Sequence, residues 1–513
     1  MSDFSADKSQ TYNAAHDLIA RHVALGTRNK VAIIDADGSY TYEEIEKRAN
    51  QFANLVVESG VEIGQRVLLC MVDSVDFVTC FLGAIKAGSV PVPVNTLLKA
   101  PDYAFMLEDS RAAMLVVSSH LLPEFAVPLE TLGALRRVLV SGATDSVFDT
   151  LPQTLASRSE EFEAAPTHAD DTAFWLYTSG TTGRPKGVMH RQTSLVATAE
   201  HFGRHVLNLS PDDTVFSPPK LFFAYGLGNS FTFPFSVGAS SVLYSGRPTP
   251  DSVMEVTRSQ PPSVFFGVPT LYAMMLNAGK LPNLQRLRLC ISAGEALPRE
   301  VLQRWREATG LEILDGLGST EMLNTFVSNR ADDNRAGTSG KPVPGYKVRL
   351  LNDHGEEVAD GEMGDLYVSG PSAAAGYWNE QEKSAETFQG EWVCTHDKYV
   401  RDSDGYFTHC GRSDDMLKVG GIYVAPTEVE GALREHELVK EAAVVGAPDQ
   451  DQLVKPKAFV VLSANVPESA ELERELIDFV RDHLAAYKRP RWIEFVKELP
   501  KTTTGKIQRN KLR

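Results

Sequence analysis

Short apolar, strand-like runs alternate with helical periodicities through the first 150 residues, and that alternation limits the fold more tightly than any single motif. Val31 to Ile34 is an apolar run closed by the turn Asp35-Ala36-Asp37-Gly38. Thr41 followed by Glu44 has capping-box spacing, and Ile45, Ala49, Phe52, Ala53 and Val56 behind it fall on one helical face. Val67 to Met71 predicts a buried strand, and Ser74 a cap for a helix ending near Gly88. In Val90-Pro91-Val92-Pro93-Val94 the prolines cannot donate to a ladder, so this extended run belongs at a sheet edge or a strand end. Strand, helix, strand in this order predicts an α/β fold with parallel-rich sheets.

The alternation continues to about residue 350. From there to residue 411, turns such as Asn352-Asp353-His354-Gly355 and Asp402-Ser403-Asp404-Gly405 punctuate short strands, which predicts a β-rich subdomain. Beyond Gly411-Arg412-Ser413-Asp414 a last α/β unit has strands at Ala442 to Val445 and Ala458 to Leu462. Its helix carries Leu472, Leu476, Phe479, Val480 and Leu484. The expected organisation is a large N-terminal domain over residues 1–413 and a small mobile α/β domain over 414–513.

The 513 residues are 43% apolar and 23% charged, an ordinary globular balance. Lys and Arg number 51 against 67 Asp and Glu, a net charge of −16. Such acidity argues against a general binder of nucleic acid or anionic membrane, so any anionic ligand needs a local site. Cys70, Cys80, Cys290, Cys394 and Cys410 are odd in number and include no C-x-x-C pair, which predicts a reducing compartment rather than a disulfide framework. The polar start Met1-Ser2-Asp3-Phe4 lacks a signal-peptide pattern, and no apolar run approaches the ~18 residues of a membrane span. A cytoplasmic protein, monomeric or homodimeric, is expected.

Tyr177-Thr178-Ser179-Gly180-Thr181-Thr182-Gly183-Arg184-Pro185-Lys186-Gly187 follows the apolar run Phe174-Trp175-Leu176. Glycines expose backbone N–H groups, hydroxyls donate to phosphate oxygens and Lys186 adds a point charge. This is phosphate-loop chemistry, but not a Walker A sequence, because Pro185 precedes the lysine and Gly187 follows it. On composition alone a Gly/Thr-rich surface loop is the alternative.

The segment resembles the phosphate loop of the adenylate-forming superfamily: acyl-CoA synthetases, firefly-type luciferases and peptide-synthetase adenylation domains. Five further stretches resemble that family in order. They are Ser292-Ala293-Gly294-Glu295-Ala296-Leu297-Pro298, Asp315-Gly316-Leu317-Gly318-Ser319-Thr320-Glu321, Trp392 to Asp397, Gly411 to Asp415, and Pro500-Lys501-Thr502-Thr503-Thr504-Gly505-Lys506. The resemblance implies that Thr178, Ser179, Gly180, Thr181, Thr182 and Lys186 hold the β- and γ-phosphates of ATP. Ala293, Gly294 and Glu295, with Asp315, Gly316, Leu317, Gly318 and Ser319, would form the adenine side. Thr320 would contact phosphate and Glu321 would be a Mg²⁺ ligand, since a hard cation takes carboxylate oxygen. Asp397 would accept both ribose hydroxyls, with Arg412 nearby.

The family's reaction has two halves. A carboxylate attacks the α-phosphorus of ATP, and a thiol such as that of coenzyme A then displaces AMP. Lys506 would neutralise charge in the first half. Acetylation there would remove that charge. Asp414 would be the hinge, and Gly420 and Gly421 would leave room for the pantetheine arm. Two departures stand out: Leu317 where an aromatic residue often stacks on adenine, and His396 where glycine usually precedes the ribose aspartate.

Lys220-Leu221-Phe222-Phe223-Ala224-Tyr225-Gly226-Leu227-Gly228-Asn229 lacks the aspartate of amino-acid-activating relatives, and with Gly-Ser-Thr-Glu-Met-Leu it resembles benzoate-CoA ligases. Phe223, Ala224, Tyr225 and Gly226 would wall an apolar slot suited to a flat aryl ring. Asn324 and Thr325 stand where benzoate ligases tend to have His-Ile, and two small polar groups there suggest a bond to a ring hydroxyl, hence benzoate or 4-hydroxybenzoate as substrate. Another carboxylic acid, or loading of a carrier protein, is the alternative. The spacing of Cys394, His396, His409 and Cys410 matches no standard zinc pattern.

Overall fold

The structure is a computed structural model that describes residues 11–126, 135–178, 185–295, 297–413, 415–419, 422–450, 454–464, 466–484, 488–501 and 507–512. The chain forms two compact units, Met1–Val348 with Val368–Val393, and Arg349–Tyr367 with Cys394–Arg513.

The first unit is built on two parallel-rich sheets. In the five-stranded sheet, Arg66–Cys70, Val90–Pro93, Met114–Ser118, Arg137–Ser141 and Asp149–Thr150 are all parallel. Val90–Pro93 lies at its edge, where Pro91 and Pro93 leave no ladder bond unmade. In the nine-stranded sheet six inner strands are parallel, ordered Ile313–Gly318, Leu289–Ser292, Val264–Gly267, Thr214–Phe216, Ser240–Val242 and Val31–Ile34. Antiparallel strands close both ends: Ser39–Thr41 at one, Thr325–Ser328 and Lys341–Pro342 at the other.

The helix Tyr42–Glu58 begins with the expected capping box, Thr41 and Glu44 satisfying each other's backbone N–H groups. Its apolar face, including Ile45, Ala49, Phe52, Ala53 and Val56, is fully buried. It crosses the helix Val75–Lys86 closely at Gly83, where a Cβ would stand 2.5 Å from the Ala49 carbonyl. Every residue of Val75–Lys86 except Asp76 is buried, as a helix that is apolar nearly all round requires. Ser74 precedes it as expected, but makes no cap; its hydroxyl donates to the Val72 carbonyl. Asp35 caps instead, its Oδ2 accepting from Val75 N at 2.8 Å. A side chain distant in sequence has displaced the local signal.

In the second unit, the strand Trp392–Arg401, from Cys394 on, pairs with Phe407–Arg412 as a hairpin in register Asp397 to Arg412. Farther on, Val439–Pro448 and Val454–Leu462 are antiparallel, with Trp492–Phe495 parallel to the latter. The helices Pro426–Arg434 and Ala470–His483 share the core beneath this sheet, where Val429, Leu433, Val444, Val460, Leu472, Leu476 and Val480 meet. The expected helical residue Leu484 is the C-cap rather than a helical position. Among the described residues no helix is long and apolar enough to cross a membrane.

Candidate active site

The Gly/Thr-rich segment connects two arms of a hairpin. Thr172–Thr178 and Lys186–Arg191 run antiparallel, with Thr178 opposite Lys186; Ser179, Gly180, Thr181 and Thr182 lie outside the described residues. A third strand, Gly376–Tyr377, pairs along the other edge of Lys186–Arg191 with Tyr377 opposite Val188. Residues two apart on a strand share a face, so Lys186 meets Tyr377 diagonally, its Nζ 4.5 Å from the ring centroid. The Tyr377 hydroxyl donates to Glu321 Oε1 at 2.8 Å. Lys186 and Glu321, both expected nucleotide residues, are thus joined through a tyrosine that no motif singled out. The signal that could have found it is the aromatic pair Tyr377-Trp378 after a glycine, between an alanine run and a polar stretch.

Glu321 stands in the loop between Ile313–Gly318 and Thr325–Ser328, strands that pair with Gly318 opposite Thr325. Three features hold the loop. Leu323 N donates to the Thr320 carbonyl at 3.0 Å, Ala374 N donates to the Glu321 carbonyl at 2.9 Å, and Leu323 adopts a left-handed φ of 65°. Gly318 is required at its base, because a Cβ would stand 2.7 Å from the Asn324 carbonyl oxygen. Ser319 accepts from Met322 N through its hydroxyl at 3.3 Å.

On the same strand Asp315 is buried, and burial raises its carboxyl well above the usual carboxylate range. Gly316 and Leu317 follow it in register with Ser328 and Val327. The neighbouring strand Leu289–Ser292 leads into Ala293, buried, and Gly294, which turns with φ 89°. Glu295 Oε2 accepts from Thr270 Oγ1 at 2.8 Å.

Of the residues expected to wall an aryl slot, Ala224 and Thr325 bond to Asn324. Its Nδ2 donates to the Ala224 carbonyl at 3.0 Å, and its Oδ1 accepts from Thr325 N at 2.8 Å and Thr325 Oγ1 at 3.0 Å. Asn324 and Thr325 are 3% and 1% exposed, so their remaining polar capacity is shielded from water. Phe223 precedes the short helix Ala224–Leu227, its ring 4.6 Å from that of Phe222. The Tyr225 hydroxyl donates to the Gly267 carbonyl at 3.2 Å. A Cβ on Gly226 would overlap the carbonyls of Pro219 and Lys220, and one on Gly228 would overlap Asn324 Nδ2.

A buried pair holds the start of this segment. Asp73 is 2% exposed; its Oδ1 accepts from Leu221 N at 3.1 Å and its Oδ2 lies 3.9 Å from Lys220 Nζ. Lys220 also donates to the Tyr244 carbonyl. Burial pushes the Asp73 carboxyl up to about 6, against the pull of Lys220 and the Leu221 N–H. Asp73 carries no motif and is silent in the sequence.

In the second unit Asp397 and Arg412 are cross-strand partners, Arg412 NH1 lying 3.4 Å from Asp397 Oδ1 and donating to the Thr395 carbonyl at 3.2 Å. His396 has φ 58°, a left-handed conformation that explains why glycine is usual there. Asp414, Gly420, Gly421 and Lys506 lie outside the described residues. The residues flanking the lysine motif do form a bridge, Lys501 to Ile507, reinforced by Gln508 N donating to the Pro500 carbonyl at 2.8 Å.

Residues 20–378 match the AMP-binding enzyme family, and residues 428–506 match the AMP-binding enzyme C-terminal domain. A benzoate-CoA ligase of Thauera aromatica is 53% identical over 508 residues, covering 98% of this chain and 96% of that protein. A 4-hydroxybenzoate-CoA/benzoate-CoA ligase of Rhodopseudomonas palustris is 47% identical, covering 98% and 94%. Among solved structures, a benzoate CoA ligase from Burkholderia xenovorans superposes with a TM-score of 0.90 at 47% identity, covering 98% of this chain and 100% of that one. The anthranilate CoA ligase AuaEII with anthranoyl-AMP gives a TM-score of 0.92 at 43% identity, covering 99% and 98%. Fold, motif order and these matches lead to one conclusion: the chain belongs to the AMP-binding enzyme family.

Proposed function

We infer that the chain is an ATP-dependent aryl-CoA ligase that converts benzoate or 4-hydroxybenzoate to its CoA thioester through an acyl-adenylate, releasing AMP and pyrophosphate. The observation that carries the aryl reading is the Asn324 carboxamide bonded to the Ala224 carbonyl among Phe223, Tyr225 and two glycines that admit no side chain. A flat ring fits such a slot, and an alkyl chain gains nothing from its buried amide.

In the first half-reaction a carboxylate oxygen of the acid attacks the α-phosphorus, the bond from that phosphorus to the β-bridging oxygen breaks, and pyrophosphate leaves. Lys186 and Thr178, with the hydroxyls of the loop between them, bind the β- and γ-phosphates; Thr320 donates to phosphate. Glu321 Oε2 has no partner among the described residues, and a carboxylate oxygen suits a hard cation, so the residue fits Mg²⁺. When bound, Mg²⁺ screens phosphate charge. Ala293, Gly294, Glu295 and Asp315 to Ser319 form the adenine side, and Asp397 with Arg412 takes the ribose. Lys506 stabilises the developing charge, a role resting on the sequence resemblance.

In the second half the CoA sulfur attacks the acyl carbonyl and AMP departs, with Asp414 as hinge between residues 1–413 and 414–513 and Gly420-Gly421 along the pantetheine path. Five unbonded cysteines fit a reducing compartment such as the cytoplasm.

The test is pyrophosphate release with ATP, Mg²⁺ and CoA over benzoate, the three hydroxybenzoates, 2-aminobenzoate, cinnamate and a medium-chain fatty acid. Turnover confined to benzoate and hydroxybenzoates is expected; turnover with the fatty acid alone would overturn the aryl reading. Replacing CoA by a carrier protein in the same assay separates a ligase from a carrier-loading enzyme.

A further inference from the structure

Lys186 and Glu321 carry opposite charges in neighbouring segments, and each has a task that requires its charge to be available to a nucleotide. Left to themselves, such a pair closes into a salt bridge. Tyr377 stands between them. Its ring face receives Lys186 Nζ at 4.5 Å and its hydroxyl donates to Glu321 Oε1 at 2.8 Å. A cation prefers the face of an aromatic ring and a carboxylate the donor at its edge, so one side chain satisfies both groups without neutralising either.

Tyr377 is itself held on every side. It is 6% exposed, its backbone N–H donates to Ser384 Oγ at 2.9 Å, and its ring meets Phe388 edge-on at 5.3 Å. Ala374, three residues earlier, anchors the Glu321 carbonyl, so the segment leading into the tyrosine's strand also fixes the glutamate backbone.

We propose that Tyr377 is a positioning residue, an aromatic spacer that keeps Lys186 and Glu321 apart and aimed so that both charges are available when MgATP arrives. The proposal rests on the reading of Lys186 and Glu321 as nucleotide residues given above. Tyr377→Phe keeps the ring beneath Lys186 and frees Glu321 Oε1. Tyr377→Leu removes the spacer as well and lets the two charges pair.

The experiment is calorimetric titration of MgATP into the full chain, free of aryl acid, with the KM for aryl acid and CoA-dependent turnover of supplied aryl-adenylate measured alongside. Tyr377→Leu is expected to weaken MgATP binding about tenfold or more, equivalent to at least about 1.4 kcal/mol. Tyr377→Phe should fall between it and the wild type, a rescue by the conservative ring. Both should leave the aryl-acid KM and turnover of supplied adenylate within about twofold, smaller than the tenfold that 1.4 kcal/mol would give. Wild-type MgATP affinity in Tyr377→Leu overturns the spacer, and so does an equal rise in aryl-acid KM, which marks general loosening. Lys186→Met separates the two levels. If it too leaves MgATP binding unchanged, the nucleotide reading fails; if it weakens binding while Tyr377→Leu does not, only the spacer fails.

Discussion

The Asn324 carboxamide nitrogen lies 3.0 Å from the Ala224 carbonyl oxygen, tying the loop that carries Glu321 to the proposed wall of an aryl slot a hundred residues away in sequence. That bond uses one of two Nδ2 protons, and Thr325 uses the Oδ1 side. One N–H of Asn324 and the Thr325 hydroxyl oxygen therefore retain capacity for a ring hydroxyl. Asn324→Leu should lower the kcat/KM preference for 4-hydroxybenzoate over benzoate by about 10-fold, as loss of a hydrogen bond made to the substrate does. An unchanged ratio would show that the hydroxyl is recognised elsewhere.

His396 carries a left-handed φ of 58° directly before Asp397, and its carbonyl accepts from Ser413 N at 2.8 Å. The backbone there is dictated by the hairpin, and a side chain with a Cβ is strained by it. His396→Gly should stabilise the fold by about 1 kcal/mol in urea titration and leave the KM for ATP close to wild type. A destabilised variant would mean that the imidazole's own contacts outweigh the strain.

Periodicity located the strand Val31–Ile34, the helix Tyr42–Glu58 and the core positions Leu472, Leu476 and Val480, because one-sided burial writes itself into local spacing. The proline-rich run was legible as an edge for the equally local reason that its residues cannot donate. What stayed hidden is tertiary. Asp35 caps a helix forty residues on, Asp73 holds Leu221, and Tyr377 reaches Glu321; none of these pairings has a spacing to read. In the site, motifs named Lys186 and Glu321, whereas Tyr377 between them and Asp73 at Leu221 came only from the structure.

Two buried histidines should weaken the fold in acid. His22 stacks on Tyr42 at 3.6 Å and His190 on Phe174 at 4.8 Å, and burial lowers each to about 3. In the unfolded chain a histidine binds its proton near pH 6.5, so below that value the unfolded state holds more protons and stability falls as the pH falls towards 3. Each histidine adds a slope of up to about 1.4 kcal/mol per pH unit in that window. Asp73 acts in the opposite sense: its carboxyl, raised to about 6, favours the folded state most at low pH and loses that contribution as the pH rises through 6. Urea titrations at pH 7.5 and 5.0 should show a smaller acid loss in His22→Gln and in His190→Gln than in wild type. Equal losses would mean that neither ring is held neutral.

Asp73 and Lys220 should behave as one unit. Asp73 Oδ2 lies 3.9 Å from Lys220 Nζ in a site from which water is largely excluded, and Asp73 also holds Leu221 N at the start of the aryl-slot segment. Asp73→Leu leaves the lysine without its counter-charge, which should cost about 3–5 kcal/mol. It also frees Leu221, so the KM for aryl acid should rise more than the KM for ATP. Lys220→Met strands the aspartate, whose carboxyl can escape by taking a proton, so its cost should be smaller and should shrink at pH 5. Combining Asp73→Leu with Lys220→Met removes both charges, and a coupling of about 1–3 kcal/mol in favour of the double variant is expected. The aryl-acid KM should nevertheless stay raised in the double variant, because no acceptor then remains for the Leu221 N–H. Additive stability losses, or a restored KM, would show that the ion pair neither acts as a unit nor positions the slot.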